Sequence, residues 1–264
     1  MITTMSTGFQ FKQFFVRHDC CAMKVGTDGV LLGAWAPVPA VSTQPSACKI
    51  LDIGTGSGLI ALMLAQRCPE AQIDAIDIDQ QACEQAAANF AASPWAERLH
   101  ATHCPLQQLA NNSLSAEGGL SSVSAAVNQP KAVYNLILSN PPYFVDSLKN
   151  PDAARCTARH NDTLPFGELI ACSTRLLAPN GILALIVPAE AEPELQALAM
   201  QHGLSCTHRC YVHPKPGRPA KRVLLAWQHC IRDIREIRTD HLTLESTDAP
   251  RSPEYQQLTR DFYL

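Results

Sequence analysis

No stretch of this chain holds as many as about 18 consecutive uncharged apolar residues, the length a membrane-spanning helix needs. Residues 1–18 mix Thr, Gln, Lys and Arg with Phe around no apolar core of signal-peptide length. A protein without membrane contact and with a cytoplasmic location is expected. The Cys-x-x-Cys spacing is also missing. The 11 cysteines are odd in number and scattered, with Cys20 and Cys21 adjacent and Cys206 and Cys210 four apart. Neither a zinc site nor a disulfide framework is signalled, so no metal is expected and the thiols are expected to be reduced. There is no excess of positive charge either. With a formal net charge of −3, contact with a polyanion falls to local basic patches. Internal repeats are absent.

What is present is enough for one substantial α/β core: 264 residues, 46% hydrophobic. From Lys49 onward, short apolar runs alternate with helix-period segments, the pattern of a parallel sheet covered on both faces. Strands are predicted at 50–53, 73–78, 99–104, 135–139 and 182–187, and a closing strand pair at 205–212 and 223–227. Helices are predicted at 59–65, at 80–92 with Asp79 as its cap, at 166–177 with Pro179, Asn180 and Gly181 as its exit, and at 192–202. The expected organisation is an N-terminal segment (1–48) packed on a catalytic domain (49–230), with a C-terminal extension (231–264) docked on the same domain. Residues 42–47 read as a connector, and 111–129, rich in Ser, Ala, Asn and Gly, as a surface insertion without chemistry.

Two motifs carry the chemistry. The first is Asn140-Pro141-Pro142-Tyr143, which follows the apolar run 136–138. Consecutive prolines remove two backbone donors and fix two φ angles, so the turn exposes carbonyl oxygens and one side-chain amide beside an aromatic ring. That arrangement suits a flat amino group conjugated to a π system. The Asn140 side-chain oxygen and the Pro141 carbonyl can accept its two N–H bonds while Tyr143 stacks on the ring. A Pro-rich turn with Tyr143 packed on the core is the plainer reading of these four residues alone.

The second motif is Asp52-Ile53-Gly54-Thr55-Gly56-Ser57-Gly58, a glycine turn between a strand and a helix. Dinucleotide folds use Gly-x-Gly-x-x-Gly to seat a pyrophosphate, but here the spacing is Gly-x-Gly-x-Gly with an acid in front. Asp52 would repel a pyrophosphate and can accept from an α-ammonium group, which favours S-adenosylmethionine over a dinucleotide. Asp77, 19 residues beyond Gly58 at the end of the second strand, can take both ribose hydroxyls, and Ile78 can lie against adenine. After the third strand, Cys104-Pro105-Leu106 offers no side-chain acceptor for the cofactor's adenine amine, so the backbone, Gln107 or packing must serve. Together the two motifs read as methyl transfer from S-adenosylmethionine to a planar nitrogen. Such transfer needs alignment more than a strong base.

With these residues assembled, the chain resembles the bacterial tRNA1(Val) (adenine-N6)-methyltransferases nearly end to end. The resemblance includes residues 11–14, 23–29 and 32–35 before the sheet, then 93–98, 140–143, 158–160 and 222–225, and it closes with 258–259 and 261–264. It implies a Rossmann-like, seven-stranded class I methyltransferase fold whose last strand is antiparallel, with S-adenosylmethionine as methyl donor. The implied product is N6-methyladenine beside the anticodon of a valine tRNA, and the implied enzyme is a monomer. It also implies that Gly26, Thr27, Asp28 and Gly29 form a lid over the methionine end of the cofactor and a flipped base. A plain turn in which Asp28 caps the following helix is the alternative, and the two are compatible.

RNA contacts are expected from Arg155, Arg159 and His160 after the catalytic turn. They are also expected from Lys215, Arg218, Lys221 and Arg222, which stand with three prolines in the ten residues 213–222. Solvated surface charge is the alternative for both groups. Other proteins with the same four-residue turn methylate a release-factor glutamine, a guanine of ribosomal RNA or adenine in DNA. The 48 residues before Lys49 are too few for the helical substrate-binding domain of the glutamine enzymes. No target-recognition region of a DNA enzyme is visible. A catalytically silent RNA-binding protein is the remaining alternative.

Overall fold

The computed structural model describes residues 8–19, 25–38, 48–112, 134–142, 164–230 and 236–264. The connector at 42–47 and residues 113–129 of the expected insertion lie outside the described residues.

A short hairpin, β1 (Gly8–Gln10) and β2 (Phe15–Arg17), precedes helix α1 (Thr27–Trp35). The central sheet begins at β3 (Lys49–Ile53), buried at four consecutive positions as a strand covered on both faces must be. It pairs in parallel with β4 (Gln72–Asp77) on one side and β6 (Tyr134–Ser139) on the other. β5 (Leu99–His103) lies beyond β4, and β7 (Leu177–Pro188) beyond β6. β9 (Arg222–His229) joins β7 antiparallel, and β8 (Leu204–His213) lies outside it. These seven strands run in the order β8-β9-β7-β6-β3-β4-β5, and β9, the last of them in the chain, is the antiparallel one. An eighth strand, β10 (Arg238–Thr243), extends the sheet in parallel with β8.

The other α-helices among the described residues are α2 (Leu59–Arg67), α3 (Gln80–Ala91), α4 (Leu106–Asn112), α5 (Phe166–Leu176), α6 (Glu192–Gln201) and α7 (Pro253–Thr259). Asp79 caps α3 as expected, its carboxylate accepting the Gln81 N–H at 2.9 Å. One face of the sheet packs on α1, α2, α3 and α7 and the other on α4, α5 and α6. Phe11, Phe14, Val16, Tyr255 and Phe262 belong to the first of these cores, so both chain ends share it with the sheet.

Three local expectations need correcting. Residues 179–181 do not close a separate turn: β7 starts at Leu177, and its pairing with β6 shifts register between Tyr134 and Leu136 as the chain bulges. Gly181 fits there because a Cβ would stand 2.7 Å from the Tyr134 carbonyl oxygen. Asn111 and Asn112 belong to α4 instead of an insertion. Asp28 does not cap α1, which begins one residue earlier with Gly26 in extended backbone at its cap. Its carboxylate instead accepts from Arg222 Nε at 2.9 Å.

One packing detail positions the site. α1 lies close on α2 because Gly29 and Gly33 face it; a Cβ at Gly33 would stand 2.7 Å from Met63 Sδ, and one at Gly29 3.1 Å from Leu59 Cδ2. The first turn of α1 is thereby pressed against the start of α2, where the glycine turn ends. Arg67 fixes the other end of α1 by donating to the carbonyls of Gly33 and Ala36 at 2.8 and 2.9 Å.

Candidate active site

β3 and β6 end side by side, Ile53 opposite Ser139, and the buried Ser139 hydroxyl donates to the Ile53 carbonyl at 2.8 Å. Beyond this tie, β3 runs into the glycine turn and β6 into Asn140. Both lie at the carboxyl edge of a parallel sheet, between neighbouring strands whose helices lie on opposite faces, where open α/β sheets bind ligands.

The turn is held from β4. The N–H groups of Gly54 and Thr55 both donate to the Ile76 carbonyl, at 2.9 and 3.0 Å. Asp77 Oδ2 accepts the Gly56 N–H at 2.9 Å and its Oδ1 the Asp79 N–H at 3.0 Å. Each carboxylate oxygen retains a lone pair for a further donor. Gly54, Gly56 and Gly58 have φ of 70°, 55° and 81°, the left-handed region that glycine enters without penalty. Their surroundings differ: a Cβ on Gly54 or Gly56 would meet nothing within 4 Å among the described residues, whereas one on Gly58 would stand 2.5 Å from Phe90 Cε1. The first two leave room for a ligand to approach the backbone. The third lets α2 start against α3.

Asp52 lies beneath the turn, fully buried. The Thr55 hydroxyl donates to its Oδ2 at 2.7 Å, and its Oδ1 has no hydrogen-bond partner among the described residues. Burial pushes its carboxyl up to about 7; the Thr55 bond and, more weakly, the Ala61 N–H work against this, and the nearby Asp77 charge adds to it. A buried carboxylate lacking one donor is suited to a cationic ligand.

A cavity of about 240 Å³ opens above the turn. It is lined by residues 25–29 from the start of α1, residues 54–57 of the turn, Leu59 and Ile60 from α2, and Asn140. Three parts of the chain singled out in the sequence thus meet: Gly26 to Gly29, the glycine turn and Asn140. Asp52 is not part of the lining; Thr55, which is, stands between it and the cavity. Asp77 and Ile78 flank the turn on the β4 side, and Ile78 is half exposed, an unusual position for such a side chain. Pro141 is buried and Pro142 exposed. Gln107 donates its amide to Glu168. Tyr143, Arg155, Arg159 and His160 lie outside the described residues.

The basic loop between β8 and β9 divides in two. Lys215 pairs with Glu245 at 3.1 Å, and Arg222 with Asp28 at the cavity rim at 2.9 Å. Arg218 and Lys221 are exposed and in no ion pair among the described residues.

Sequence reasoning passed over two residues that hold the site. One is Ser139. The other is Asn89 of α3, 2% exposed, whose amide donates to the carbonyls of Ser57 and Arg17 at 2.8 Å each while its oxygen accepts the Arg17 N–H at 3.0 Å. It ties the glycine turn to the N-terminal hairpin. Its signal was a polar residue on the buried Ala82–Ala86–Phe90 side of an Ala-rich helix.

Residues 38–203 match the methyltransferase small domain family. A predicted O-methyltransferase of known structure from Agrobacterium tumefaciens has a similar fold, with a TM-score of 0.60 at 20% identity over 89% of this chain and 96% of that one. The protein is a methyltransferase of the class I fold. The left-handed glycines facing open space and the buried, under-donated Asp52 fit S-adenosylmethionine, its cofactor. A tRNA1(Val) (adenine(37)-N6)-methyltransferase from Phocaeicola vulgatus is 45% identical over 256 residues, 97% of each chain. One of the same name from Yersinia enterocolitica is 42% identical over 97% of this chain and 92% of its own. Because these likenesses run through both flanking segments as well as the sheet, the chain belongs to the tRNA1(Val) (adenine(37)-N6)-methyltransferase family.

Proposed function

We propose that the protein methylates N6 of the adenine at position 37 of a valine tRNA, with the base flipped out of the anticodon loop into the crevice beside Asn140. The observation that carries this reading is the cavity lining, in which Asn140 shares one space with Gly54 and Gly56 of the cofactor turn. S-adenosylmethionine, when bound, supplies a methyl group already activated by its sulfonium charge. Asp77 holds the ribose hydroxyls, Ile78 covers the adenine of the cofactor, and Gly54, Gly56 and Gly58 shape the backbone that admits it. Asp52 favours the ammonium group through its field and through Thr55. Thr27, with its neighbours in the first turn of α1, closes the crevice.

The rest of the work is positioning. The Asn140 side-chain oxygen and the Pro141 carbonyl accept the two N–H bonds of the adenine amine and stabilise the positive charge that develops on nitrogen. Pro142 stiffens the turn, and Tyr143 stacks on the base. No strong base is required, since the proton leaves to water after transfer. Arg155, Arg159, His160 and the loop cations Lys215, Arg218, Lys221 and Arg222 hold the RNA backbone. The protein acts as a cytoplasmic monomer. The test is incubation with labelled S-adenosylmethionine and unmodified total tRNA, followed by digestion to nucleosides. Label in N6-methyladenosine supports the reading; label in guanosine or in protein overturns it.

A further inference from the structure

The outermost strands of the sheet carry a row of rings that the reading above does not use. Along β8, Cys210 and Val212 are buried in the core, so Arg209, Tyr211 and His213 lie on the opposite face. The parallel register of β10 sets His241 beside Tyr211. The Arg209 guanidinium lies 5.5 Å from the Tyr211 ring centre. The Tyr211 and His241 ring centres lie 5.4 Å apart and those of His241 and His213 5.3 Å apart, with interplanar angles of only 29° and 28°. The two imidazoles are also joined by their nitrogens, His213 Nε2 to His241 Nδ1 at 3.0 Å, while His213 Nδ1 lies 2.8 Å from the Arg218 carbonyl. A carbonyl only accepts, so Nδ1 of His213 carries a proton, and the N–N hydrogen bond, which lies near the ring planes, sets the two imidazoles edge to edge.

The row leads to the active-site edge. β8 is antiparallel to β9, which is antiparallel to β7, so His213 at the end of β8 lies on the edge where β3 and β6 release the glycine turn and Asn140. The loop that leaves His213 carries the exposed Arg218 and Lys221. Nearby acids are already compensated: Glu192 by Arg209 and Glu245 by Lys215, each at 3.1 Å, and Asp240 by Arg238 at 3.1 Å and His208 at 2.7 Å. What remains toward solvent is the exposed His241 between the half-buried Tyr211, which packs partly on the second core, and His213, beside two cations in no ion pair among the described residues.

We propose that Tyr211, His241 and His213 form a stacking platform for unpaired bases of the tRNA substrate, with Arg218 and Lys221 gripping the adjoining phosphates. This rests on the tRNA reading above and adds a surface to it. Every base has a π face, so such a platform holds single-stranded RNA without reading its sequence. Rings already fixed by neighbours lose little freedom on binding. A duplex, whose bases are stacked on one another, gains nothing from it.

The test compares the full chain with His241→Ala and His241→Phe, using an unmodified anticodon-arm hairpin and a fully paired duplex as probes. His241→Ala is expected to weaken hairpin binding about tenfold, the loss of one stacked base, and His241→Phe to stay within about threefold of the parent. Duplex and cofactor affinity stay unchanged, as does the salt dependence of hairpin binding, because no phosphate contact is removed. Fluorescence of 2-aminopurine placed in the hairpin loop reports stacking independently of any change in stability; it should be quenched by the parent and less so by His241→Ala. Parent-like affinity and quenching in His241→Ala, or equal weakening for hairpin and duplex, overturns the platform. A parent that binds and methylates tRNA alongside an unaffected His241→Ala overturns the platform alone. A parent without affinity for tRNA overturns the functional reading as well.

Discussion

Replacing Asp52 with asparagine is expected to stabilise the fold at neutral pH while weakening cofactor binding. The Asp52 carboxyl is fully buried and pushed up to about 7, with burial the largest cause. In the unfolded chain it titrates near ~3.9. Between these values the folded protein holds a proton that the unfolded chain has lost, so this group's contribution falls as pH rises from about 4 to about 7 and is level above. The full gap is worth about 4 kcal/mol as an upper limit, of which about 3 kcal/mol falls between pH 5 and pH 8. The amide of the Asp52→Asn variant would keep an acceptor for the Thr55 hydroxyl but has nothing to ionise. Urea unfolding of parent and variant at both pH values isolates the effect, since the other titrating groups are common to both. The variant should gain on the parent by about 3 kcal/mol on going from pH 5 to pH 8. A difference that does not change with pH would mean that Asp52 is ionised in the folded protein across this range. Cofactor affinity of the parent should rise with pH through about 7, because the ionised form attracts the ammonium, and the variant should show no such rise.

Other outcomes follow from the same site. Asp77→Ala should weaken cofactor binding by about 1.5–3 kcal/mol through lost charged hydrogen bonds and a freed Gly56, measured by calorimetric titration. Asn140→Ala should lower turnover about a hundredfold at nearly constant cofactor affinity; parallel loss of both would mean a misfolded crevice. Gly58→Ala should destabilise by about 2–4 kcal/mol in denaturant unfolding, since it combines a left-handed residue with a clash at Phe90. Neutralising Arg218 and Lys221 together should flatten the salt dependence of tRNA affinity by about 0.7–0.9 per lost contact, whereas Lys215→Ala, already paired with Glu245, should change it less.

Much of this was legible because its signals are local. The alternation of apolar runs and helical segments gives the parallel sheet, and the glycine spacing after the first strand gives the left-handed glycine turn without any long-range information. What escaped depends on pairing across the chain. The Arg222–Asp28 ion pair joins residues 194 apart, so the cavity rim is braced by a residue that in sequence belongs to a basic loop. The expected cap at Asp28 failed for the same reason, as a partner distant in sequence claims the carboxylate. β10 was unannounced because only Leu242 within it is buried, leaving no period for an edge strand to show. The row of Tyr211, His241 and His213 likewise exists only once two strands are set in register.

The central claim, methylation of one adenine in one tRNA loop, is tested most directly with two transcripts of a valine tRNA, one with adenine and one with guanine at position 37. With labelled S-adenosylmethionine, the first transcript should take up about one methyl group per molecule, recovered as N6-methyladenosine, and the second none. Equal incorporation into both transcripts would contradict it.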